Sequence, residues 1–144
     1  PLSLVESCTM PDGTVIEPEL PEPVQVVTPE TAEQTALMIE NVLAQGGLSK
    51  QVAVPGYRIA GKTGTGEKPD GNGGYKAGLY FTSLVGFAPA DDPQYVVIVT
   101  LDEPSTVRSS AANAQAFQKA MTQVLKTYRV LPSDSETPLL PKYQ

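Results

Sequence analysis

The sequence feature that most constrains the fold is the apolar run of residues 95–101, Tyr-Val-Val-Ile-Val-Thr-Leu. Most of its residues are β-branched, and it is short and follows a turn that contains Pro89 and Pro93, so it predicts a β-strand. Because the run is apolar on both of its alternating faces, we expect the strand to lie inside a sheet that is covered on both sides.

Two earlier segments, residues 57–65 and 79–87, are predicted to be the other strands of this sheet. Short links join the three strands, so we expect them to pair antiparallel. Residues 66–78, rich in Gly, Lys, Asp and Asn, are expected to form a mobile, exposed loop between the first two.

Helical spacing predicts two helices. In the first, Thr28 is the N-cap, Pro29 takes the first helical position, and Gly46-Gly47 ends the helix. The second begins at Ser109 or Ser110 and runs to about residue 128. The apolar residues assigned to the inward faces are Ala32, Ala36, Ile39 and Leu43 in the first helix, and Ala112, Ala116, Met121, Val124 and Leu125 in the second.

A small hairpin is predicted at the start, with strands at residues 2–7 and 14–16 around the turn at residues 11–13, Pro-Asp-Gly. Residues 17–23 hold three prolines and three glutamates, which predicts an extended connector. The order hairpin, helix, three strands, helix is typical of an α+β fold, with an antiparallel sheet flanked by helices.

Composition excludes several classes of function. The net charge is −6, which argues against a nucleic-acid partner because such proteins need a concentrated basic face. Histidine is absent, so a histidine-based triad or metal site is excluded. Cys8, expected to be partly buried, is the only cysteine and can form neither an internal disulfide nor a zinc site of several thiolates. No apolar run is long enough to span a membrane.

Residues 56–63, Gly-Tyr-Arg-Ile-Ala-Gly-Lys-Thr, match the phosphate-binding loop pattern G-x-x-x-x-G-K-[ST]. That loop needs a helix that begins at its Lys-Thr, so that backbone N–H groups face the phosphates. Here residues 57–60 look like a strand, and the Gly- and Pro-containing sequence after Thr63 does not favour a helix. A nucleoside-triphosphatase is therefore the less favoured interpretation.

The second interpretation starts from Lys62-Thr63-Gly64, one of three motifs of penicillin-binding proteins and class A β-lactamases. On an outer strand, Lys62 would place positive charge beside a reacting centre, and Thr63 would offer a hydroxyl to a substrate carboxylate. Gly64 would let a substrate backbone approach and pair with the strand. Thr65 adds a second hydroxyl and a backbone N–H.

The surrounding sequence supports this interpretation. Residues 54–65 read Val-Pro-Gly-Tyr-Arg-Ile-Ala-Gly-Lys-Thr-Gly-Thr, and residues 83–93 read Ser-Leu-Val-Gly-Phe-Ala-Pro-Ala-Asp-Asp-Pro. With residues 28–32, 73–75, 95–97 and 102–105, they closely resemble class B penicillin-binding proteins, most of all the septal, cell-division type. The resemblance runs over about residues 1–130. It implies a serine β-lactamase-like fold, with residues 1–131 as the C-terminal portion of a transpeptidase domain and 132–144 as an extended or loose tail.

The resemblance also implies roles for single residues. Lys62 would join the proton relay around a catalytic serine, and the Thr65 backbone N–H would be one of two oxyanion-hole donors. Thr63 and Thr65 would bind the carboxylate of the substrate D-alanine or of a β-lactam, beside Gly64. Tyr80 would flank the site, although packing in the sheet explains a tyrosine there equally well.

The nucleophile motif Ser-x-x-Lys is absent, as is Ser-x-Asn, since no serine has Lys three or Asn two residues later. In the family both motifs lie upstream, so we expect the chain to be part of a longer protein and to be inactive alone. That parent protein is expected to be a serine D,D-transpeptidase that cross-links D-Ala-D-Ala stem peptides and binds β-lactams, with no cofactor and no metal. The resemblance further implies a membrane anchor elsewhere in the parent, an extracytoplasmic location and cell-division proteins as partners. A non-catalytic β-lactam sensor of the same fold is the alternative.

Overall fold

The structure is a computed structural model, and it describes residues 5–141. The chain divides into two compact units, residues 1–32 and 33–144. The sheet and the motif of interest lie in the second unit. Among the described residues, no helix is long and apolar enough to cross a membrane.

The first unit contains the predicted hairpin, displaced by a few residues. Strands β1 (Cys8–Thr9) and β2 (Val15–Ile16) pair antiparallel. The turn is as predicted, since Gly13 has a φ of 87° and its N–H donates to the Met10 carbonyl at 2.9 Å. Within the predicted first strand, residues 2–4 lie outside the described residues and residues 5–7 are not strand. Both β1 and β2 are exposed, and so is the single cysteine, contrary to the expectation that it would be partly buried.

Helix α1 (Pro29–Ala44) begins where it was predicted. The Thr28 hydroxyl caps it by accepting the Thr31 N–H at 3.3 Å. The predicted inward face is only partly correct, because Ala32 is exposed whereas the polar residues Glu40 and Asn41 are buried. Apolar periodicity could not predict this burial, which depends on polar partners far along the chain.

A short helix, α2 (Ser49–Val52), precedes the three predicted strands, and the first of these begins at Ala60 and not at residue 57 as predicted. These are β3 (Ala60–Pro69), β4 (Tyr75–Ala88) and β5 (Tyr95–Asp102), paired antiparallel in the order β3-β4-β5. The prediction of a loop over residues 66–78 is wrong. Most of that segment belongs to β3 and β4, which form a long hairpin with its turn at residues 70–74. The strands within residues 66–78 were not predicted because the Gly and Lys residues there give no alternation of apolar and polar side chains.

The core lies between one face of the sheet, which we call the inner face, and helix α3 (Ala114–Thr127), which a 3₁₀ turn (Ser110–Asn113) precedes. Phe117, which was missing from the predicted apolar surface, is fully buried, whereas Ala116 is exposed. The core cluster comprises Leu43, Val52, Val54, Ile59, Leu84, Ala88, Ala114, Phe117, Met121, Leu125 and Val130.

The opposite, outer face of the sheet carries exposed apolar side chains. Val96 is 70 % and Ile98 65 % exposed, and Val85 beside them is also exposed. Within residues 5–141, the cover expected on both faces of β5 is therefore present on one face only.

Gly61 in β3 is a position where packing leaves no space for a side chain. A Cβ there would stand 2.6 Å from the Val85 carbonyl oxygen and 2.8 Å from Leu43 Cδ1. We expect Gly61→Ala to lower the free energy of unfolding of the 144-residue chain by about 1–3 kcal/mol, as measured by urea denaturation and circular dichroism. Gly47→Ala is the control, because apart from Gly47 and its two neighbours in the chain no heavy atom lies within 4 Å of the Cβ position. An equal effect of the two substitutions would contradict the packing described for Gly61.

Candidate active site

The four residues of the predicted site segment, Lys62 to Thr65, lie in succession inside β3. The strand continues to Pro69, so no helix begins at Lys62-Thr63 and no helix N-terminus faces a phosphate site there. The phosphate-binding loop interpretation of residues 56–63 is therefore wrong. β3 is also an outer strand of the three-stranded sheet, as the transpeptidase interpretation requires.

Alternation along β3 sends the site residues to opposite faces of the sheet. Lys62 lies opposite Val85 of β4 on the outer face, is exposed, and donates from Nζ to the Thr63 carbonyl at 2.9 Å. Thr63 and Thr65 lie opposite Leu84 and Thr82, on the inner face. Thr63 is half-buried and Thr65 is exposed. The structure does not gather the three side chains on one face, and the feature that they share is the free edge of β3.

That free edge is the part of β3 that a ligand can use. An outer strand turns alternate backbone N–H and C=O groups away from its sheet, where an extended peptide can pair with them. A ligand on this edge would lie beside both faces, within reach of the Lys62 side chain on one and of the Thr63 and Thr65 hydroxyls on the other. The arrangement therefore suits a short peptide that ends in a carboxylate.

Gly64 has a specific neighbour that the sequence did not indicate. A Cβ on Gly64 would stand 2.6 Å from the Ser83 hydroxyl oxygen, in the cross-strand pair of β3 and β4. Glycine at this position therefore leaves space for the Ser83 side chain next to the site segment. Ser83 lies on the outer face, as Lys62 does, and it could not be identified without the register of the two strands.

Tyr80 lies opposite Glu67 on β4 and is half-buried. It occupies the inner face, two residues along β4 from Thr82, the partner of Thr65. The structure thus brings Tyr80 to the face of the two threonines and not to that of Lys62.

A second feature that sequence analysis missed is an ion-pair cluster near the far end of the hairpin. Lys68 Nζ lies 2.8 Å from both Asp102 Oδ1 and Glu103 Oε1, and the hydrogen bond to Asp102, with that to Glu103, raises the pKa of Lys68. Glu103 has a φ of 51°, and its N–H donates to the Tyr80 carbonyl at 2.9 Å. The cluster joins β3 to the end of β5. Lys68 is 34 or more positions away from both of its partners in sequence, so spacing gave no signal.

Asn113 is a third residue that the sequence did not single out. It is fully buried, and its Nδ2 donates to the Val99 carbonyl at 2.9 Å and to the Thr82 carbonyl at 3.4 Å. It therefore connects β4 and β5 at Thr82, the cross-strand partner of Thr65. Within residues 5–141, no cluster of three or more Cys, Asp or Glu side chains could hold a metal ion.

Comparison with known proteins bears on this site. The sequence profile of the penicillin binding protein transpeptidase domain matches residues 2–122. Penicillin-binding protein PbpB of Mycolicibacterium smegmatis is 36 % identical over an alignment 150 residues long, gaps included, which covers 96 % of this chain and 23 % of that protein. Peptidoglycan D,D-transpeptidase FtsI of Escherichia coli is 34 % identical over 122 residues, which cover 83 % of this chain and 20 % of that protein. The chain thus spans about a quarter or less of the length of these curated relatives.

Solved structures agree in fold. Penicillin binding protein 3 of Mycobacterium tuberculosis in complex with ampicillin superposes with a TM-score of 0.75 at 29 % identity, over 93 % of this chain and 32 % of that one. A peptidoglycan synthetase from Bifidobacterium adolescentis also gives a TM-score of 0.75, at 26 % identity over 94 % of this chain and 24 % of that one. The antiparallel sheet with its helices is therefore the corresponding part of a transpeptidase domain.

Proposed function

Since the chain belongs to the family of penicillin binding protein transpeptidase domains, we propose that it supplies one wall of the active site of a serine D,D-transpeptidase. The observation that carries this proposal is the position of Lys62 to Thr65 on the free edge of β3. An edge of this kind holds an extended stem peptide through its backbone, while the side chains at its two faces hold charge and hydroxyl groups.

The reaction divides between this chain and the remainder of the parent protein. A serine from the remainder attacks the carbonyl carbon between the two D-alanines, a C–O bond forms, and the C–N bond to the terminal D-alanine breaks. The serine proton passes to the departing amine through a relay that includes Lys62. The amine of a second stem peptide then attacks the ester, and the serine regains its proton as the cross-link forms.

Two threonines, together with the charge of Lys62, supply the electrostatic part of this mechanism. The Thr65 N–H stabilises the oxyanion that develops in both steps, together with a second N–H from the nucleophile. The Thr63 and Thr65 hydroxyls bind the carboxylate of the terminal D-alanine, and a β-lactam places its own carboxylate there. The Tyr80 ring borders the same side of the cleft.

The cellular location of the protein follows from the substrate. Peptidoglycan stem peptides lie outside the cytoplasm, so we place this chain on the extracytoplasmic side of the bacterial membrane, in a parent protein that carries the anchor. The septal resemblance favours a role in cell division, with other cell-division proteins as partners. No organic cofactor takes part.

A covalent labelling experiment tests the proposal. We expect mass spectrometry to detect a penicillin adduct on the parent protein and none on the 144-residue chain, because none of its serines lies in a Ser-x-x-Lys motif. An adduct on the 144-residue chain would contradict the placement of the nucleophile. Labelling without transfer of a stem peptide to an amine acceptor would instead indicate a β-lactam sensor.

A further inference from the structure

The chain continues beyond α3 as a segment without helix or strand, residues 130–140, which we call the C-terminal strap. The matched family region ends at residue 122, so the strap lies outside it. Hydrogen bonds nevertheless hold the strap along its length, both to the loop that leads into β3 and to α1.

The first part of the strap is fixed to the loop before β3. The Ser133 N–H donates to the Gly56 carbonyl at 2.9 Å, and the Arg58 N–H donates to Ser133 Oγ at 3.1 Å. The Ser133 hydroxyl in turn donates to Asp91 Oδ1 at 2.8 Å. Ser133 therefore connects the strap, the loop before β3 and the turn between β4 and β5 through one backbone N–H and one hydroxyl.

The last part of the strap is fixed to α1. Asn41 donates from Nδ2 to the Pro138 carbonyl at 3.0 Å and accepts the Leu140 N–H on Oδ1 at 2.9 Å. Gln45 donates to the Leu140 carbonyl at 2.8 Å. A side-chain amide that both donates to and accepts from an extended backbone binds it as a neighbouring strand would. This contact explains why Asn41 is buried although the predicted inward face of α1 does not include it.

Between these anchors lies the Glu40 carboxylate, whose side chain is only 1 % exposed. It accepts hydrogen bonds from Arg58 Nε at 2.8 Å, from Arg58 Nη2 at 2.7 Å and from the Thr137 hydroxyl at 2.6 Å. The hydrogen bonds that Arg58 donates to Glu40 raise the pKa of Arg58, and Ser135 Oγ accepts a longer hydrogen bond from Arg58 Nη1 at 3.4 Å. The strap thus completes the hydrogen bonding of a charge pair that is buried at its acidic end.

This charge pair lies close to the site segment. Arg58 is two residues before the start of β3 and four before Lys62, and its carbonyl accepts the Ala90 N–H at 2.9 Å. One turn along α1 from Glu40, Leu43 packs so closely on Gly61 that a Cβ would stand 2.8 Å from it. Helix α1 therefore fixes the chain on both sides of the start of β3, and the strap fixes α1 to the preceding loop.

We propose that the C-terminal strap positions the Lys62–Thr65 segment of β3, with Thr137 and Ser133 as positioning residues that act through Glu40 and Arg58. The expected effect of the strap on acylation rests on the proposed function, whereas the expected effect of the strap on the mobility of β3 does not. The strap would act on the geometry of the site without touching the substrate.

Hydrogen–deuterium exchange in the parent protein tests the proposal. We expect Thr137→Val, which removes the hydroxyl and keeps the shape, to speed exchange about tenfold in peptides of residues 57–66, since a hydrogen bond to a charged group is lost. Exchange in α3 should not change. Thr137→Ser, which keeps the hydroxyl, should restore the slow exchange, and Glu136→Gln on the exposed side of the strap is the matched control. Ser133→Ala should reproduce the effect of Thr137→Val from the other anchor.

Unchanged exchange at residues 57–66 in both Thr137→Val and Ser133→Ala, or an equal increase in α3, would overturn the proposal. A second readout is acylation by a fluorescent penicillin. We expect the acylation rate constant to fall about tenfold in Thr137→Val, with rescue in Thr137→Ser, because misplacement of the site segment slows a step that depends on geometry. If the unsubstituted parent protein is not acylated, the proposed function fails, while the exchange data still decide the role of the strap.

Discussion

Replacement of Lys62 by alanine in the parent protein is expected to slow acylation by a β-lactam about 10²–10³-fold, the range seen when one preorganised electrostatic group is removed from an active site. The ammonium group of Lys62 is the only charge in the site segment, and it lies on β3, whose free edge the substrate would pair with. The measurement is the rate of covalent labelling by a fluorescent penicillin.

The fold should survive this substitution. Lys62 is exposed, and the hydrogen bond that the structure gives its ammonium group goes to the carbonyl of the next residue, Thr63. Circular dichroism and the thermal midpoint should therefore match those of the unsubstituted protein. Lys76→Ala is the matched control, because Lys76 is exposed on the same sheet at the hairpin end of β4. Near-normal acylation in Lys62→Ala would show that β3 is not the substrate-binding strand.

Much of the fold could be predicted from local sequence because the decisive signals are local. The apolar run at residues 95–101 and the cap at Thr28-Pro29 are determined by side chains within a few positions, and the structure places β5 and α1 there. The choice between two motif interpretations also needed only local chemistry, since the sequence after Thr63 does not favour the helix that a phosphate loop requires. The roles proposed for the site residues rest on the resemblance to a family, because composition and spacing could not supply them.

The features that escaped prediction depend on contacts between distant residues. The hairpin of β3 and β4 extends through Gly66 and Glu67 because Phe81 and Tyr80 pair with them, and no apolar alternation marks those positions. Glu40, which apolar periodicity did not assign to the inward face of α1, is buried because Arg58 and Thr137 donate hydrogen bonds to its carboxylate from 18 and 97 residues away in sequence. Prediction of the sheet face on which Lys62 and the two threonines lie also required the register of the sheet, which a single sequence does not specify.

The Glu40–Arg58 pair gives the largest stability effect that we expect. Arg58→Ala should lower the free energy of unfolding of the 144-residue chain by about 3 kcal/mol, the lower end of the range for breaking a buried ion pair, because Arg58 is itself 14 % exposed and water can partly replace it. The carboxylate of Glu40 would remain buried with the Thr137 hydroxyl as its partner. Urea denaturation followed by circular dichroism measures the change.

Two comparisons separate this charge effect from a loss of packing. Lys68→Ala removes the cation of the other ion-pair cluster, whose carboxylates are largely exposed, and should have a much smaller effect because solvent screens such pairs. The double substitution Glu40→Leu with Arg58→Ala removes both charges and should recover part of the stability lost in Arg58→Ala, since no uncompensated charge remains buried while position 58 carries alanine in both variants. If the double variant were as unstable as Arg58→Ala, the loss would come from the methylene packing of Arg58 and not from the buried carboxylate. The C-terminal strap would then be held by its backbone contacts to Asn41 and Gln45 more than by the charge pair.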